Sequence, residues 1–383
     1  MKILMLLESN FPPDTRVENE INALTESGHE VHLACVKTVK NLSEKSYGKV
    51  TIHRELLSEF QRKSSTGALI FPFYFHFWRK FVNNLFAFYQ FDAIHVHDLP
   101  LAVIGCEMKR KFGVKFILDL HENWPGLLAI SEHLQTFPGN LLFSLKQWQK
   151  YERKYVNLAD EVIVVVDEAK DRIESLGVDR ERIHVVSNTL NLDGFSFDIQ
   201  KKVSDKIIFT YAGGVTYHRG LQYVLDAAAL VADDRFEIWI VGDGRYLNTL
   251  KKQAGLLGLD DQVRFWGRKN QTELLRLVCE SDIALIPHVK SAHTDSTIPH
   301  KLFQYMYAEK PVLASDCIPV MRIIHETRSG WVYPWSDAKQ LASFMKKIIN
   351  NEFNLNDYAQ GKSFVISKYN WSVDKLNLLT VYL

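Results

Sequence analysis

Cysteine is scarce in this chain of 383 residues: Cys35, Cys106, Cys279 and Cys317 lie far apart and form no CxxC pair. That excludes a disulfide scaffold and a cysteine-based metal knuckle. Cys35, Cys279 and Cys317 sit in or beside apolar runs, as buried free thiols do, and point to a reducing, cytoplasmic setting. Long hydrophobic runs are missing as well. No stretch reaches the roughly 18 uncharged apolar residues of a spanning helix. KILMLLE, after the first residue, is too short for the apolar region of a signal peptide. A chain that is soluble, or at most lies on a membrane, is expected. Neither sign of charge prevails, with Lys plus Arg at 46 and Asp plus Glu at 45. Overall charge therefore gives no hold for nucleic acid.

Several motifs are absent too. Walker A, HExxH and GxSxG do not occur, which argues against P-loop NTPases, zincins and α/β-hydrolases. No Asp-x-Asp occurs either, so no carboxylate-held Mg²⁺, and no metal or cofactor, is suggested. VGDGRYLN has Gly242 and Gly244 but lacks the third glycine of GxGxxG, which counts against a hydride-transfer enzyme.

What is present has α/β syntax, and the length favours two domains over one. KILMLLE (2–8) reads as a buried parallel strand, followed by a helix with Val17, Ile21 and Leu24 at helical spacing and a second strand, EVHLACV (30–36). This βαβ unit opens a doubly wound sheet. Asp14 and Arg16 stand at the carboxyl end of the first strand, where such sheets bind ligands; a helix cap and a solvated Arg are the plainer reading. DAIHVHD (92–98) and KFILDLH (115–121) are further strands, each ending on a His with an acid beside it: His97–Asp98 and His121–Glu122. His121, before HENWPG, is the stronger candidate for a ligand-facing group. A long helix over 140–158 and the strands VIVVV and IHVVSN complete the first half. TLNLDGFSFDIQKKVSDK (189–206) is polar and aperiodic and reads as the interdomain linker. KIIFTYAGG (206–214) then restarts the pattern, so two Rossmann-like domains facing a cleft are expected, one over 1–190 and one over 204–371.

Residues 69–91, LIFPFYFHFWRKFVNNLFAFYQF, have the least ordinary composition. From 60 to 91 there are Arg62, Lys63, Arg79 and Lys80 and no acid. Such a stretch suits a membrane interface, or else a helix packed inside the domain. Lys109, Arg110, Lys111 and Lys115 add positive charge to the same half.

The second half carries the anion-binding signals. Strand-end glycines occur at Gly213–Gly214 and at Gly242–Asp243–Gly244, where backbone N–H groups could approach an anion. Arg219 follows the first pair and offers a planar fork for phosphate oxygens. In HTDSTIPHKLFQYMYAEKPVLASD (293–316), a hydroxyl-rich loop leads into a helix expected from Pro299, with Lys301 in its first turn. Together these read as a seat for a phosphorylated ligand.

The order DTRVENEINALTESGHEV, DAIHVHD, LDLHE, ADEVIVVVDEAKDRI and VVSNTLNLDGF resembles the acceptor half of family 4 (group 1) glycosyltransferases, retaining enzymes of the GT-B fold. YAGGVTYHRGL, IVGDGRYL, VRFWG and PHKLFQYMYAEKPVLAS resemble their nucleotide-sugar half. The resemblance covers nearly the whole chain. It implies transfer from a nucleotide diphosphate sugar to a glycan or lipid-linked glycan, without metal, and a C-terminal helix (372–383) packed back on the first domain. It places the diphosphate near Arg219, Lys301, Gly213 and Gly214, the base near Gly267 and Arg268, and the sugar near Asp295, Ser296 and Thr297. His121 would face the anomeric centre, with Asp14, Arg16, His97 and Glu122 on the acceptor side. Two departures stand out. Ser296 and Gln304 occupy positions where the family usually has glutamates, the first shared by a subgroup that builds bacterial surface polysaccharides. Gly214 stands where many relatives carry a phosphate-binding Arg. Loss of the Gln304 charge keeps open a non-catalytic sugar-nucleotide-binding subunit, and a UDP-sugar epimerase of the same fold is the other alternative. Work on the inner face of the plasma membrane is the expected setting.

Overall fold

The computed structural model describes residues 1–37, 50–58, 61, 64–65, 67–131, 134, 143–193 and 205–383. Arg62 and Lys63, residues 194–204 of the expected linker and 140–142 of the expected long helix lie outside them. The chain forms two compact units, Met1–Ser187 with Ser372–Leu383, and Asn188–Trp371.

The first unit is built on strands β1 (Lys2–Leu7), β2 (Glu30–Lys37), β3 (Thr51–Leu56), β4 (Ala93–His97), β5 (Lys115–Leu120), β6 (Glu161–Val164) and β7 (Ile183–Val185). They pair in the order β3-β2-β1-β4-β5-β6-β7, all parallel. A parallel sheet covered on both faces demands apolar residues on both, so Ile3 to Leu7 are all buried. The strand order reverses between β1 and β4, and the crevice at such a switch point opens at the strands' carboxyl ends. Glu8, Asp98 and His121 follow β1, β4 and β5 there. Edge strand β3, which carries no apolar run and is only half covered, has no counterpart among the expected strands.

Helix α1 (Thr15–Glu26) starts at Asp14, whose carboxylate accepts the Val17 N–H at 3.2 Å. Helix α2 (Phe73–Phe88) buries Tyr74, Phe75, Trp78, Phe81, Val82 and Leu85, so one face is the internal helix anticipated for this stretch. Its Arg79 forks onto Glu107 of α3 (Ala102–Phe112) at 2.8 Å. The other face is unusual: Phe73 is 53% and Phe88 83% exposed, with Ile70 and Phe71 beside the helix start. Among the described residues no helix is long and apolar enough to cross a membrane.

The second unit repeats the plan with β8 (Ile207–Ala212), β9 (Phe236–Val241), β10 (Val263–Gly267), β11 (Ile283–Ile286), β12 (Val312–Ser315) and β13 (Gly330–Tyr333), ordered β10-β9-β8-β11-β12-β13. Its switch point lies between β8 and β11, which leads into Gly213 on one side and His288 on the other. Helix α4 (Leu221–Val231) follows β8, and α5 (Lys301–Tyr307) precedes β12. Regular helix begins at Lys301, not Pro299. The first turn from Pro299 is a single bond from the Leu302 N–H at 3.0 Å.

With α6 (Trp371–Thr380) the chain re-enters the first unit, which takes up Ser372–Leu383. Leu378 and Val381 are buried, Asn377 donates to the Val185 carbonyl at 3.1 Å, and Lys115 reaches the Val381 carbonyl at 2.7 Å. The last of these anchors is Tyr382, whose hydroxyl lies 2.5 Å from His95 Nδ1.

Candidate functional site

In the second unit the site begins where β8 ends. Gly213 adopts a φ of +138°, and a Cβ there would lie 2.6 Å from Lys301 Nζ. The bare backbone is what lets the ammonium in. That ammonium sits 3.7 Å from the centroid of the Tyr211 ring, is buried, and has no hydrogen-bond partner. Burial, with Arg219 adding repulsion, holds its pKa well below the ordinary lysine range. Arg219 lies 3.2 Å from His288 Nε2. A guanidinium only donates, so that nitrogen is the acceptor and His288 is neutral. Burial, then Arg219, His293 and Lys301, pushes His218 down to about 3. Among the described residues neither Lys301 nor Arg219 pairs with a carboxylate. Two permanent or latent cations and three imidazoles thus converge without an acid, an arrangement chemically suited to an anion.

Other expected donor residues do different work. The Gly213 N–H donates to the Val241 carbonyl at 2.9 Å and is spent; the Gly214 N–H makes no bond among the described residues. The Gly242 N–H donates to the Gly267 carbonyl at 2.9 Å, and the Gly244 N–H to the Asp243 carboxylate at 2.7 Å. These amides are therefore not anion donors. A Cβ on Gly242 would meet the Gly213 carbonyl at 1.9 Å, so close backbone approach explains the residue instead. Arg268 is exposed beside Gly267. The loop hydroxyls expected to face a sugar are turned inward: Ser296 donates to the Ala292 carbonyl at 2.7 Å and Thr297 to the His293 carbonyl at 3.0 Å. Asp295 accepts the Ile318 N–H at 2.9 Å. All three brace the turn that presents α5. Gln304, on α5, is nearly buried.

In the first unit the strand ends gather around Asp119. Arg16 is not solvated: it is 8% exposed and forks onto both Asp119 oxygens at 2.8 and 3.2 Å, lies 3.0 Å from Glu20, and donates to the Val186 carbonyl at 2.9 Å. It anchors the interior and is not available to an acceptor. Asp14 likewise is the α1 cap. His97 is fully buried, and burial lowers its pKa to about 3, so it is a neutral neighbour of the site. His121 keeps 17% of its side chain exposed. Its Nε2 lies 2.9 Å from Asp119 and 3.1 Å from His97 Nδ1, and its Nδ1 lies 3.6 Å from Asp98. Burial opposes its charge, but Asp98 and Asp119 outweigh that and raise it to about 9. Glu122 follows, half-buried.

Further groups stand beside the expected site residues; the sequence marks Asp98 only as the acid next to His97. Asp98 has a φ of +66° and ψ of 155°, a conformation that non-glycine residues hold at a cost of about 1–3 kcal/mol and that clusters at functional sites. Glu8 accepts from Tyr74 at 2.7 Å and is pushed up to about 7 by burial. Glu20, His95, His97 and Asp119 bring donor atoms within 4.8 Å of one another. Arg16 is paired with both carboxylates of that group.

Comparisons with known proteins agree with this geometry. Two family models match end to end, Glycosyltransferase Family 4 over residues 14–193 and Glycosyl transferases group 1 over residues 194–362. The chain belongs to the group 1 (family 4) glycosyltransferases. The amylovoran biosynthesis glycosyltransferase AmsK of Erwinia amylovora is 26% identical over 47% of this chain and 45% of its own length. A phosphatidyl-myo-inositol mannosyltransferase of Mycobacterium leprae is 26% identical over 76% of this chain and 73% of its own. The matches to AmsK and to the Pseudomonas aeruginosa protein WbjE thus span 45% and 36% of those relatives. Among solved structures, sucrose-phosphate synthase from Thermosynechococcus elongatus superposes with a TM-score of 0.80 at 16% identity, covering 100% of this chain and 98% of that one. Anabaena HepE in complex with UDP and glucose gives 0.70 at 15% identity, covering 100% and 99%. The fold is GT-B.

Proposed function

We propose that this chain transfers a sugar from a nucleotide diphosphate sugar to a glycan or lipid-linked glycan, with retention at the anomeric carbon and without a metal. The observation that carries this reading is Lys301, a buried amine with no partner, set against the bare Gly213 backbone beside an acid-free Arg219. Negative charge builds on the leaving phosphate as the glycosidic bond breaks. N–H groups already in place at that phosphate lower the barrier more than they stabilise the bound nucleotide sugar. The departing phosphate takes the acceptor proton on the same face, which yields retention. Among the similar structures, HepE is held with UDP-glucose and with UDP. Relatives named for amylovoran and colanic acid synthesis support a surface-polysaccharide role.

A second reading has its own observation. The Ser296 hydroxyl is committed to the Ala292 carbonyl, and Gln304 brings no charge, so no carboxylate comes from either position. That suits a binding subunit that holds a sugar nucleotide without turning it over.

Thermal melts across UDP-, GDP- and ADP-sugars test the core claim. A matching donor at 100 times its dissociation constant adds about 2.7 kcal/mol. No shift with any of them would overturn it. Transfer or slow hydrolysis of the binding donor marks the enzyme, binding alone marks the subunit, and free epimer marks an epimerase.

The outer face of α2 fits an anionic bilayer surface. Phe71, Phe73 and Phe88 are exposed, Lys80 lies between them, and the segment from 69 to 91 contains no acid. Rings settle among headgroups and lysine reaches lipid phosphate. On this reading the chain works on the inner face of the plasma membrane, and its four free, buried cysteines are compatible with a reducing cytoplasm. The protein should float with vesicles containing phosphatidylglycerol at low salt. The F73S/F88S double substitution should release it with unchanged donor-induced stabilisation. Wild-type protein that stays off such vesicles would end the idea.

A further inference from the structure

The first unit holds a buried chain of polar groups whose outermost member is His121. Asp119 is at its centre, with no exposed surface. One of its oxygens receives Arg16 at 2.8 Å; the other is shared by Arg16 Nε at 3.2 Å, His121 Nε2 at 2.9 Å and His97 Nδ1 at 3.3 Å. An ionised carboxylate only accepts, so the His121 nitrogen that faces it must carry a proton. The other ring nitrogen, Nδ1, also faces a carboxylate, Asp98, at 3.6 Å. That gap is too long for a hydrogen bond, so Nδ1 stands near a second carboxylate without being bonded to it and can meet an incoming oxygen.

We propose that Asp119 is a positioning residue that fixes His121 as a permanent imidazolium, so that His121 serves the reaction as a charged N–H donor to a substrate oxygen and never as a base. His97 cannot take over that charge, because its ring is enclosed and its remaining nitrogen has no partner. The groups that bear on His121 are Arg16 and Glu20 from α1, His95, His97 and Asp98 from β4 and its end, Asp119 and Glu122 from β5 and its end, and Tyr382 behind His95. Asp119 and Asp98 are the carboxylates that touch the ring, and both favour the charge. Burial works against them and loses, which places the transition at about 9. The protonated form therefore persists through neutral pH and is lost only as the pH rises through that value. A base at this position would show the reverse, with activity rising near the ordinary histidine value of ~6.5.

The functional consequence rests on the sugar-transfer reading, but the charge itself is tested without any substrate. Full-length protein labelled with ¹⁵N-histidine is titrated by long-range imidazole NMR, with H121Q used to identify the His121 signals. Both nitrogens protonated at pH 7.5, with a midpoint near 9, is the expected result. A neutral tautomer at pH 7.5 overturns the proposal. D119N, which keeps the shape and removes the charge, should bring the midpoint back toward ~6.5. It should also lower kcat by ~10²-fold, with the donor KM little changed. A midpoint that stays near 9 in folded D119N refutes the role given to Asp119. Should that variant not fold, D98N moves the same midpoint down, and the wild-type titration still decides the charge. An imidazolium in a protein that transfers no sugar would count against the proposed function and leave the charge intact.

Discussion

K301M is expected to lower kcat/KM for sugar transfer by about 10²–10³-fold, the usual cost of removing one preset donor to a developing anion, while the folded protein melts no lower than wild type. The two halves of that result have one cause. In the free protein the Lys301 amine is buried and unpartnered, so it contributes nothing to stability, and an apolar side chain of similar length removes a desolvated group. Once a diphosphate arrives, the same amine gains its counter-charge. Donor binding should therefore take up a proton. Because burial depresses the lysine pKa in the free state and a bound diphosphate raises it, donor affinity should fall as pH rises through the free-state value. Calorimetry of UDP binding in two buffers of different ionisation enthalpy measures the uptake, and steady-state kinetics measure the rate loss. Near-normal turnover by K301M, with R219A equally active, would remove both residues from the leaving-group site.

R16M is expected to destabilise the first unit by about 3–5 kcal/mol, because it strands the buried Asp119 carboxylate. Asp119 loses its fork and Glu20 loses its neighbour at 3.0 Å, with neither exposed to water. The comparison that makes this diagnostic is D14A, two residues away, which removes only a helix cap and should cost ~1 kcal/mol. Urea denaturation followed by tryptophan fluorescence reads both. The pH dependence has two signs. Arg16 and the histidines hold Asp119 well below the carboxylate range against burial, so its contribution is present above the unfolded value and lost as pH falls through the folded one. Glu20 is raised to about 8 by burial and by Asp119, so its contribution is present below 4.5 and lost as pH rises to about 8. An R16M protein as stable as D14A would show that Arg16 is not the anchor of this cluster.

The strands were legible because parallel sheets bury both faces, and runs such as KILMLL and FEIWIV have few other uses. Edge strand β3, TIHREL, was not, since an edge needs no apolar run. Lys301 and Arg219 were legible as positive charges beside a helix start and a strand-end glycine pair. What pattern alone misassigned was the state of the backbone: glycines at Gly242 and Gly244 suggested free amides, yet those amides are already bonded. Arg16 looked available because helix periodicity puts it near the ligand end, and nothing local says that Asp119 lies opposite. A signal did exist. His95 and His97, like Asp119 and His121, are two apart on strands, so each pair lies on one face. That alternation puts His95, His97 and Asp119 inside the unit, where all three are fully buried.

Tyr382 gives the first unit a particular order of assembly. Its hydroxyl at 2.5 Å from His95, the Lys115 bond to Val381 and the ion pair of Lys375 with Glu26 all join the opening sheet to residues after 371. On the ribosome the sheet of β1 to β7 emerges first, yet it waits for the whole second unit to be made before these contacts can form. The unit translated later is thus the one that can finish first. A nascent chain stopped at residue 360 holds a sheet whose buried His95 has no tyrosine to meet.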